Sequence, residues 1–323
     1  MKKKVLILNL FLSIIVILCS CSKNKSYNFA PIYVFDTAVN VILYDGDDNY
    51  SLDKDSANNY YNEIKQKLNE INRITNDFSS NDTNNSIYDL NEKRTLEVSS
   101  ELISILNKAV DLIKDTNGYF NPFMGRINHM WKDAINKNTI LSDDSIKNEI
   151  EIVKNTSLEI KGNNVTIIGD GNIDLGGMVK GYALEWMRNY LNSKNVTKYV
   201  LDCGSSSVYV GDILTNVSIS KPYKNGTVFD DKVMNKGVAT SSGKYQNILI
   251  DGVRYHHLIN PFTGYPSNNY DLVSVMGNID NGLMDAYSTA IFSMNEEDAK
   301  EFCVKKGLEL LLIKDDTGIR IIY

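Results

Sequence analysis

The sequence predicts an α+β fold: mixed sheets with helices packed against them, in one domain large enough for a catalytic site. Three observations predict it. Apolar residues recur at helical spacing toward both ends of the chain, strand-like runs fill the region 198–275, and the two kinds of segment do not alternate regularly. A doubly wound parallel sheet would need that alternation.

The chain opens with Lys2, Lys3 and Lys4, and an apolar run from Val5 to Leu18 follows. A basic start and a short apolar core read as a secretory signal over 1–20. The run is too short to be a comfortable membrane span. It ends in Leu18-Cys19-Ser20-Cys21, the pattern cut in bacterial lipoprotein signals, so Cys21 is the expected lipidated first residue. The alternative is an uncleaved anchor with two incidental cysteines. Residues 21–31 read as a polar tether and 32–323 as the folded domain.

Within that domain, Ile32 to Tyr44 reads as a strand. Tyr60, Ile64, Leu68 and Ile71 place a helix over Asp53 to Ile74. Asn81 to Asn85 is a loop by composition. Leu102, Ile105, Leu106, Ala109 and Leu112 predict a second helix over Ser99 to Ile113, capped by Ser99 or Ser100. Two or three short strands follow between Leu158 and Leu175, then a helix from about Val179 to Leu191. Lys198 to Val275 is mostly strand with glycine turns. Helices return over Leu283 to Phe292 and Glu296 to Lys306, before a last pair of strands around Gly318.

The formal charge is −6, and loss of the three signal lysines would take it to −9. An acidic surface excludes general nucleic-acid binding, which needs cations to neutralise phosphates. Beyond Cys21 only Cys203 and Cys303 remain. Their spacing gives neither a disulfide framework nor a zinc pattern, and two separate thiols are expected.

Three segments carry chemistry. In Ile173-Asp174-Leu175-Gly176-Gly177-Met178-Val179-Lys180-Gly181-Tyr182-Ala183, a strand runs through two glycines straight into a helix. Glycines let a ligand approach the backbone, and a helix N-terminus with a lysine beside it suits a phosphate. A plain strand-to-helix turn is the alternative. In His256-His257-Leu258-Ile259-Asn260-Pro261-Phe262-Thr263-Gly264-Tyr265-Pro266, two of the three histidines stand next to a rigid turn. Adjacent strand residues point to opposite faces, so one histidine at most faces a given site. In Asp285-Ala286-Tyr287-Ser288-Thr289, the carboxylate and the hydroxyl four residues apart share a helical face. That pair suits a hard cation such as Mg²⁺. A first-turn Asp favoured by the helix dipole, with Thr289 merely packed, is the alternative. Thr240 to Tyr245 offers hydroxyls and a glycine for phosphate or ribose, or is a hairpin turn. Tyr119, Phe120, Phe123 and Trp131 form an aromatic cluster able to stack on a flat ring or to fill a core.

In this order the segments resemble the ApbE family, the FAD:protein FMN transferases, over nearly the whole chain after the signal. The matching pieces are Asp77-Phe78-Ser79 with Ser86-Ile87 and Leu90-Asn91, Gly118 to Pro122 with Trp131, and Asp174 to Gly177 with Lys180-Gly181-Tyr182. Ser241-Ser242-Gly243 with Tyr245, His257 to Pro266, and Asp285-Ala286 with Thr289 complete them. The resemblance implies an ApbE-like, T-fold-related catalytic domain. It implies a Mg²⁺-dependent reaction on FAD that moves FMN to a threonine of an acceptor protein and releases AMP. Acceptors of this kind are subunits of membrane ion-pumping redox complexes.

Carried over residue by residue, Asp285 and Thr289 are the implied metal ligands, joined by a carbonyl of the Gly177 to Val179 turn, assigned to Val179. Asp174, Gly176, Gly177 and Lys180 face the pyrophosphate, and His257 stands near the reacting phosphate as candidate general base. Ser241, Ser242 and Gly243 contact the cofactor, with Phe35, Asn81 and Tyr119 near it. The sequence departs from the family at Phe35-Asp36-Thr37, where Met-Gly-Thr is usual, and at Ser205 and Lys244. Asn81 stands near a position that is often aromatic, which makes water a competing acceptor. The rival readings are a Mg²⁺-dependent FAD pyrophosphatase and a flavin-binding lipoprotein without catalysis.

Overall fold

A computed structural model describes residues 25–46, 51–79, 85–204, 206–315 and 317–321. The signal segment, Cys21 and Asn81 lie outside the described residues. The chain begins with strands β1 (Ser26–Asn28), β2 (Ile32–Val34) and β3 (Thr37–Tyr44), then helices α1 (Lys54–Thr75) and α2 (Ile87–Lys93). A short β4 (Thr95–Glu97) leads to α3 (Ser100–Asp115), α4 (Gly125–Lys137) and α5 (Asp143–Lys154). Strands β5 (Ser157–Lys161) and β6 (Asn164–Ile168) precede α6 (Val179–Ser193). Then come β7 (Tyr199–Cys203), β8 (Ser207–Val210), β9 (Thr215–Ser220), β10 (Thr227–Val233), β11 (Lys236–Ser242), β12 (Asn247–Ile250), β13 (Val253–His256) and β14 (Leu272–Gly277). Helices α7 (Asn281–Ile291) and α8 (Glu296–Lys306) and strands β15 (Glu309–Lys314) and β16 (Thr317–Ile321) end it.

The main sheet runs β1-β3-β7-β8-β11-β14-β15-β16, with β2 hairpinned onto β3. All its pairings are antiparallel. Its central strands read as continuous apolar runs because both faces are covered. Leu310 and Leu312 of β15 join one core with Val273, Val275 and α7, whereas Leu311 and Ile313 join another with Val217, Ile219 and Phe229 of the β9–β10 ribbon. Period-two alternation sorts neighbours onto opposite faces. A third core holds α1, α6 and the β2–β3 hairpin, through Ile64, Leu68, Ile71, Leu184, Met187 and Val41.

Caps set the helix starts. Asp53 accepts from the Ser56 N–H at the head of α1, Ser99 accepts from the Leu102 N–H at the head of α3, and Ser86 with Asp89 forms a capping box on α2. The segment expected to be a tether up to residue 31 is folded from Ser26. Strand β1 pairs with β3, Tyr27 buries its ring, and its hydroxyl donates to the Leu52 carbonyl at 2.6 Å. Three residues are too few to show a strand period in sequence. Cys203 and Cys303 are separate, buried thiols, as expected.

The aromatic cluster divides. Phe120, Phe123 and Trp131 are core, and Trp131 donates its indole N–H to the Gly264 carbonyl at 2.8 Å while stacking on Tyr255. A buried indole needs such a partner, so its position is structural. Phe120 also borders the cavity, and Tyr119 reaches it edge-on to Phe262 at 4.9 Å between centroids.

Candidate active site

A cavity of about 470 Å³ opens where the β2–β3 turn, the end of α1, the turn before α6, the end of β11, the loop after β13 and α7 meet. Its foot is the Gly176-Gly177 turn. Asp174 Oδ1 accepts from the Gly176 N–H at 2.7 Å and its Oδ2 accepts from the Asn128 amide at 2.8 Å. Asp174 lines the cavity, but these two bonds show it shaping the turn. Helix α6 starts at Val179 with no side-chain cap from Met178. Lys180 reaches back to the Gly176 carbonyl at 3.2 Å.

Helix α7 supplies the other half. Asp285 is buried. Its Oδ2 accepts from the Gly181 N–H at 2.9 Å, and its Oδ1 accepts from the Ser207 hydroxyl at 3.1 Å. The carboxylate thus satisfies one of the open amides of the first turn of α6. Gly181 makes this possible, because a Cβ there would sit 2.2 Å from the Asn281 carbonyl oxygen and 2.6 Å from Asp285 Cβ. Asp285 stands mid-helix, one turn beyond the Asp280 cap, which removes the reading of it as a first-turn charge. Burial pushes its carboxyl up from the ordinary carboxylate range, opposed by Lys180 and by its two hydrogen bonds.

Thr289 Oγ1 lies 3.4 Å from the Gly177 carbonyl, 3.2 Å from the Asp285 carbonyl and 3.4 Å from Ser241 Oγ. The turn carbonyl that meets the Asp285–Thr289 pair is therefore that of Gly177. Val179, the residue to which the ligand carbonyl is assigned from sequence, is the first residue of α6 and lines the same cavity. Ser241 also pairs with Ser288 at 2.8 Å, and Ser242 donates to the Asp271 carbonyl at 2.9 Å. Both serines line the cavity, whereas Gly243 does not. Gly243 instead makes room for His256, whose Cδ2 would lie 2.6 Å from an added Cβ.

The two adjacent histidines do separate. His256 is buried, its Nε2–H donating to the Ser267 carbonyl at 2.8 Å and its Nδ1 accepting from the Leu258 N–H at 3.2 Å. That bonding fixes the tautomer and pins the loop. His257, just past the end of β13, lines the cavity, and among the described residues its buried Nδ1 has no hydrogen-bond partner. Burial, with Lys180 beside His257 and His257 beside His256, holds both imidazoles down at about 4.

Local spacing in the sequence does not bring the residues of the mouth together. Asp77 and His129, which come from the end of α1 and from α4, are joined at 2.8 Å. Phe78 stacks on the His129 ring with centroids 4.6 Å apart, and Lys132 lies 3.8 Å over the Phe78 ring. All four line the cavity. Phe35 and Asp36 also line it, both at positive φ (53° and 56°) in the two-residue β2–β3 turn. Positive φ at both central residues defines the type I′ hairpin turn, where glycine is usual. The Phe35 N–H donates to Asn72 at 2.7 Å.

A match to the ApbE family spans residues 35–312, and the chain belongs to that family. It is 28% identical over 240 residues to an FAD:protein FMN transferase of Rhodobacter capsulatus, covering 70% of this chain and 45% of that protein. It is 24% identical over 270 residues to an FAD:protein FMN transferase of Vibrio cholerae serotype O1, covering 80% of each. The crystal structure of an ApbE protein from Thermotoga maritima superposes with a TM-score of 0.77 at 24% identity, covering 92% of this chain and 97% of that one. This last likeness concerns the fold.

Proposed function

We propose that this protein is an enzyme that transfers the FMN half of FAD to a threonine hydroxyl of an acceptor protein, with Mg²⁺ bound, and releases AMP. The observation that carries the reading is the oxygen cluster at the foot of the cavity, where a buried carboxylate, a threonine hydroxyl and the Gly177 carbonyl converge beside a glycine turn and a lysine. The family and its relatives support the choice of FAD and of a protein acceptor. A buried carboxylate that neutral donors and one nearby lysine only partly compensate is a natural place for a cation. Its neighbours are all oxygens, which suits Mg²⁺. When bound, the ion would neutralise the pyrophosphate and stabilise the departing AMP.

The residues of the chain do the remaining work by position. Lys180 and the first turn of α6 hold phosphate oxygens. The two glycines let the pyrophosphate approach the backbone. His257, kept neutral, presents its unpartnered Nδ1 to the reacting phosphate. Tyr119, Phe35 and the rim aromatics offer faces to flat rings. The acceptor hydroxyl attacks the phosphorus on the FMN side, forming the new O–P bond as the bond to AMP breaks. Such a transfer needs mostly alignment and charge stabilisation.

Export and a lipid anchor on Cys21 complete the reading, with the acceptor a subunit of a membrane redox complex. Mass spectrometry of the mature N-terminus tests the anchor, and an unmodified Cys21 rejects it. The activity is tested by incubating the protein with FAD and Mg²⁺ in the presence of an acceptor domain. AMP release that requires the metal supports an enzyme, and intact FAD after incubation rejects it in favour of a binder. AMP formed at full rate with the acceptor left unmodified indicates a pyrophosphatase.

A further inference from the structure

Strand β8 is apolar with one exception. Val208, Tyr209 and Val210 are buried, and so is Ser207, at 1% exposure. A buried hydroxyl costs free energy unless it is hydrogen-bonded. Among the described residues the Ser207 hydroxyl has one hydrogen bond, donated to Asp285 Oδ1 at 3.1 Å. The register explains how it gets there. Ser207 pairs with Cys203 of β7 on one side and with Ala239 of β11 on the other. Directly opposed residues share a face of the sheet, so three small side chains lie in one row. Two positions along β11 on that face, Ser241 meets Ser288 and Thr289 of α7. Two positions the other way, a Cβ on Gly237 would sit 2.5 Å from Asn281 Oδ1 of the same helix. This is therefore the face that α7 covers, and its small residues let Asp285 come close enough to reach the hydroxyl.

Asp285 lines the cavity and Ser207 does not. The serine stands behind the carboxylate, so whatever it does at the site it does through Asp285. A carboxylate turns about an sp³–sp² torsion whose preferred angles are broad. One hydrogen bond leaves that rotation partly free. Here two donors from different elements hold the two oxygens: the Gly181 N–H of α6 on Oδ2 at 2.9 Å, and the Ser207 hydroxyl of β8 on Oδ1. Each carboxylate oxygen can accept more than one partner, so both keep capacity for a cation. Groups that orient a ligating carboxylate in this way govern metal affinity.

We infer that Ser207 is a positioning residue for the metal site: it locks the rotation of the Asp285 carboxylate, so that the acid is already set for Mg²⁺ beside Thr289 and the Gly177 carbonyl. The inference rests on the metal-dependent reading of the site. A cation that finds its acidic ligand already oriented does not bear the cost of ordering it on binding. The Gly181 donor belongs to the backbone and survives any side-chain change. Ser207 is the member of the pair that a substitution can remove.

The test is thermal melting with FAD in every sample, in EDTA and across a titration of MgCl₂, for the wild type, Ser207→Ala and Ser207→Thr. Ser207→Ala is expected to need roughly ten- to a hundredfold more Mg²⁺ for half of the metal-induced rise in melting temperature. Its Mg²⁺ requirement for AMP release should rise by more than its kcat falls. Ser207→Thr keeps the hydroxyl and should return the Mg²⁺ midpoint to within a few-fold of wild type. Should Ser207→Ala not fold, Ser207→Cys takes its place, since it keeps a small side chain with only a weak donor. A hydroxyl that merely supports the fold would lower melting equally in EDTA and in MgCl₂. That result, with an unmoved Mg²⁺ midpoint, overturns the assignment, as does a Ser207→Thr protein as impaired as Ser207→Ala. A wild type whose melting does not respond to MgCl₂ rejects the metal reading itself, and the positioning role with it.

Discussion

At the foot of the cavity, Asp285 and Thr289 lie one turn apart on α7, opposite a glycine turn whose own residues are contiguous from Asp174 to Gly181. At the mouth, Asp77 and His129 are single residues 52 positions apart, joined only because α1 ends beside α4. The foot is buried and every polar atom of Asp285 is engaged, whereas Phe78 at the mouth is 50% exposed. On the proposed transfer reading, the difference separates the fixed charges at the foot from the groups at the mouth that meet the incoming acceptor. It implies that substitutions at the foot act on rate and stability together, and those at the mouth act on rate or acceptor recognition while sparing the fold.

The largest effect is expected from Asp285→Ala. Losing the carboxylate removes the one acidic group, among the described residues, of the cluster proposed to hold Mg²⁺, and with it several kcal/mol of charge stabilisation, so Mg²⁺-dependent AMP release should fall at least roughly a thousandfold. The Gly181 N–H and the Ser207 hydroxyl also lose their partner, at about 1–3 kcal/mol of stability each if no water replaces it. Normal AMP release by folded Asp285→Ala would erase the distinction drawn for the foot.

Next come the adjacent histidines. His257→Ala should cost roughly a hundredfold in transfer with the melting temperature held, the scale of a positioned polar contact. His256→Ala should act on stability. Its folded pKa of about 4 lies below the 6.5 of an unfolded histidine, so the unfolded state binds more protons between these values. The contribution of neutral His256 is therefore present above pH 6.5 and lost as pH falls toward 4, at roughly 1.4 kcal/mol per unit and about 3 kcal/mol in all. The fall of the denaturant midpoint across that window should flatten in His256→Ala relative to wild type. An equal acid sensitivity in both proteins would show that another group carries it.

Gly181→Ala should cost about 1–3 kcal/mol by forcing α6 and α7 apart, and it should lower activity by drawing the first turn of α6 away from Asp285. Urea unfolding and AMP release measure the two, and an unchanged stability would mean that the close approach is not required. The smallest effect is expected from Phe78→Ala at the mouth. Stability should move by less than about 1 kcal/mol, since the ring is half exposed. The acceptor KM should rise by more than the KM for FAD, and the reverse split would place Phe78 on the flavin.

The legible part of the site was the part written as contiguous motifs. Gly176-Gly177 before a helix, Asp285 with Thr289, and His257 before the Asn-Pro turn all declare their chemistry by local spacing, and all line the cavity. The helices α1, α3, α6, α7 and α8 were visible through their apolar spacing to within a few residues. Helices α4 and α5 were missed, although Ile127, Trp131 and Ala134, and Ile146, Ile150 and Val153, show the same spacing. Polar residues between them dilute the apolar pattern, and the aromatics ahead of α4 read as a ring-stacking cluster or as core. With α4 unplaced, His129 and Lys132 had no address, and their pairing with Asp77 and Phe78 was illegible. Gly243 illustrates a subtler limit, since a glycine beside serines resembles a phosphate loop, while here the missing side chain serves the packing of His256.

The most direct test of the account is to follow FAD, AMP and the acceptor in one reaction, with intact-protein mass spectrometry of the acceptor beside quantification of AMP. One AMP is expected for each FMN joined to an acceptor threonine, in the wild type with Mg²⁺, and neither product with Asp285→Ala. AMP appearing in excess of modified acceptor, or FAD remaining bound and whole, would contradict it.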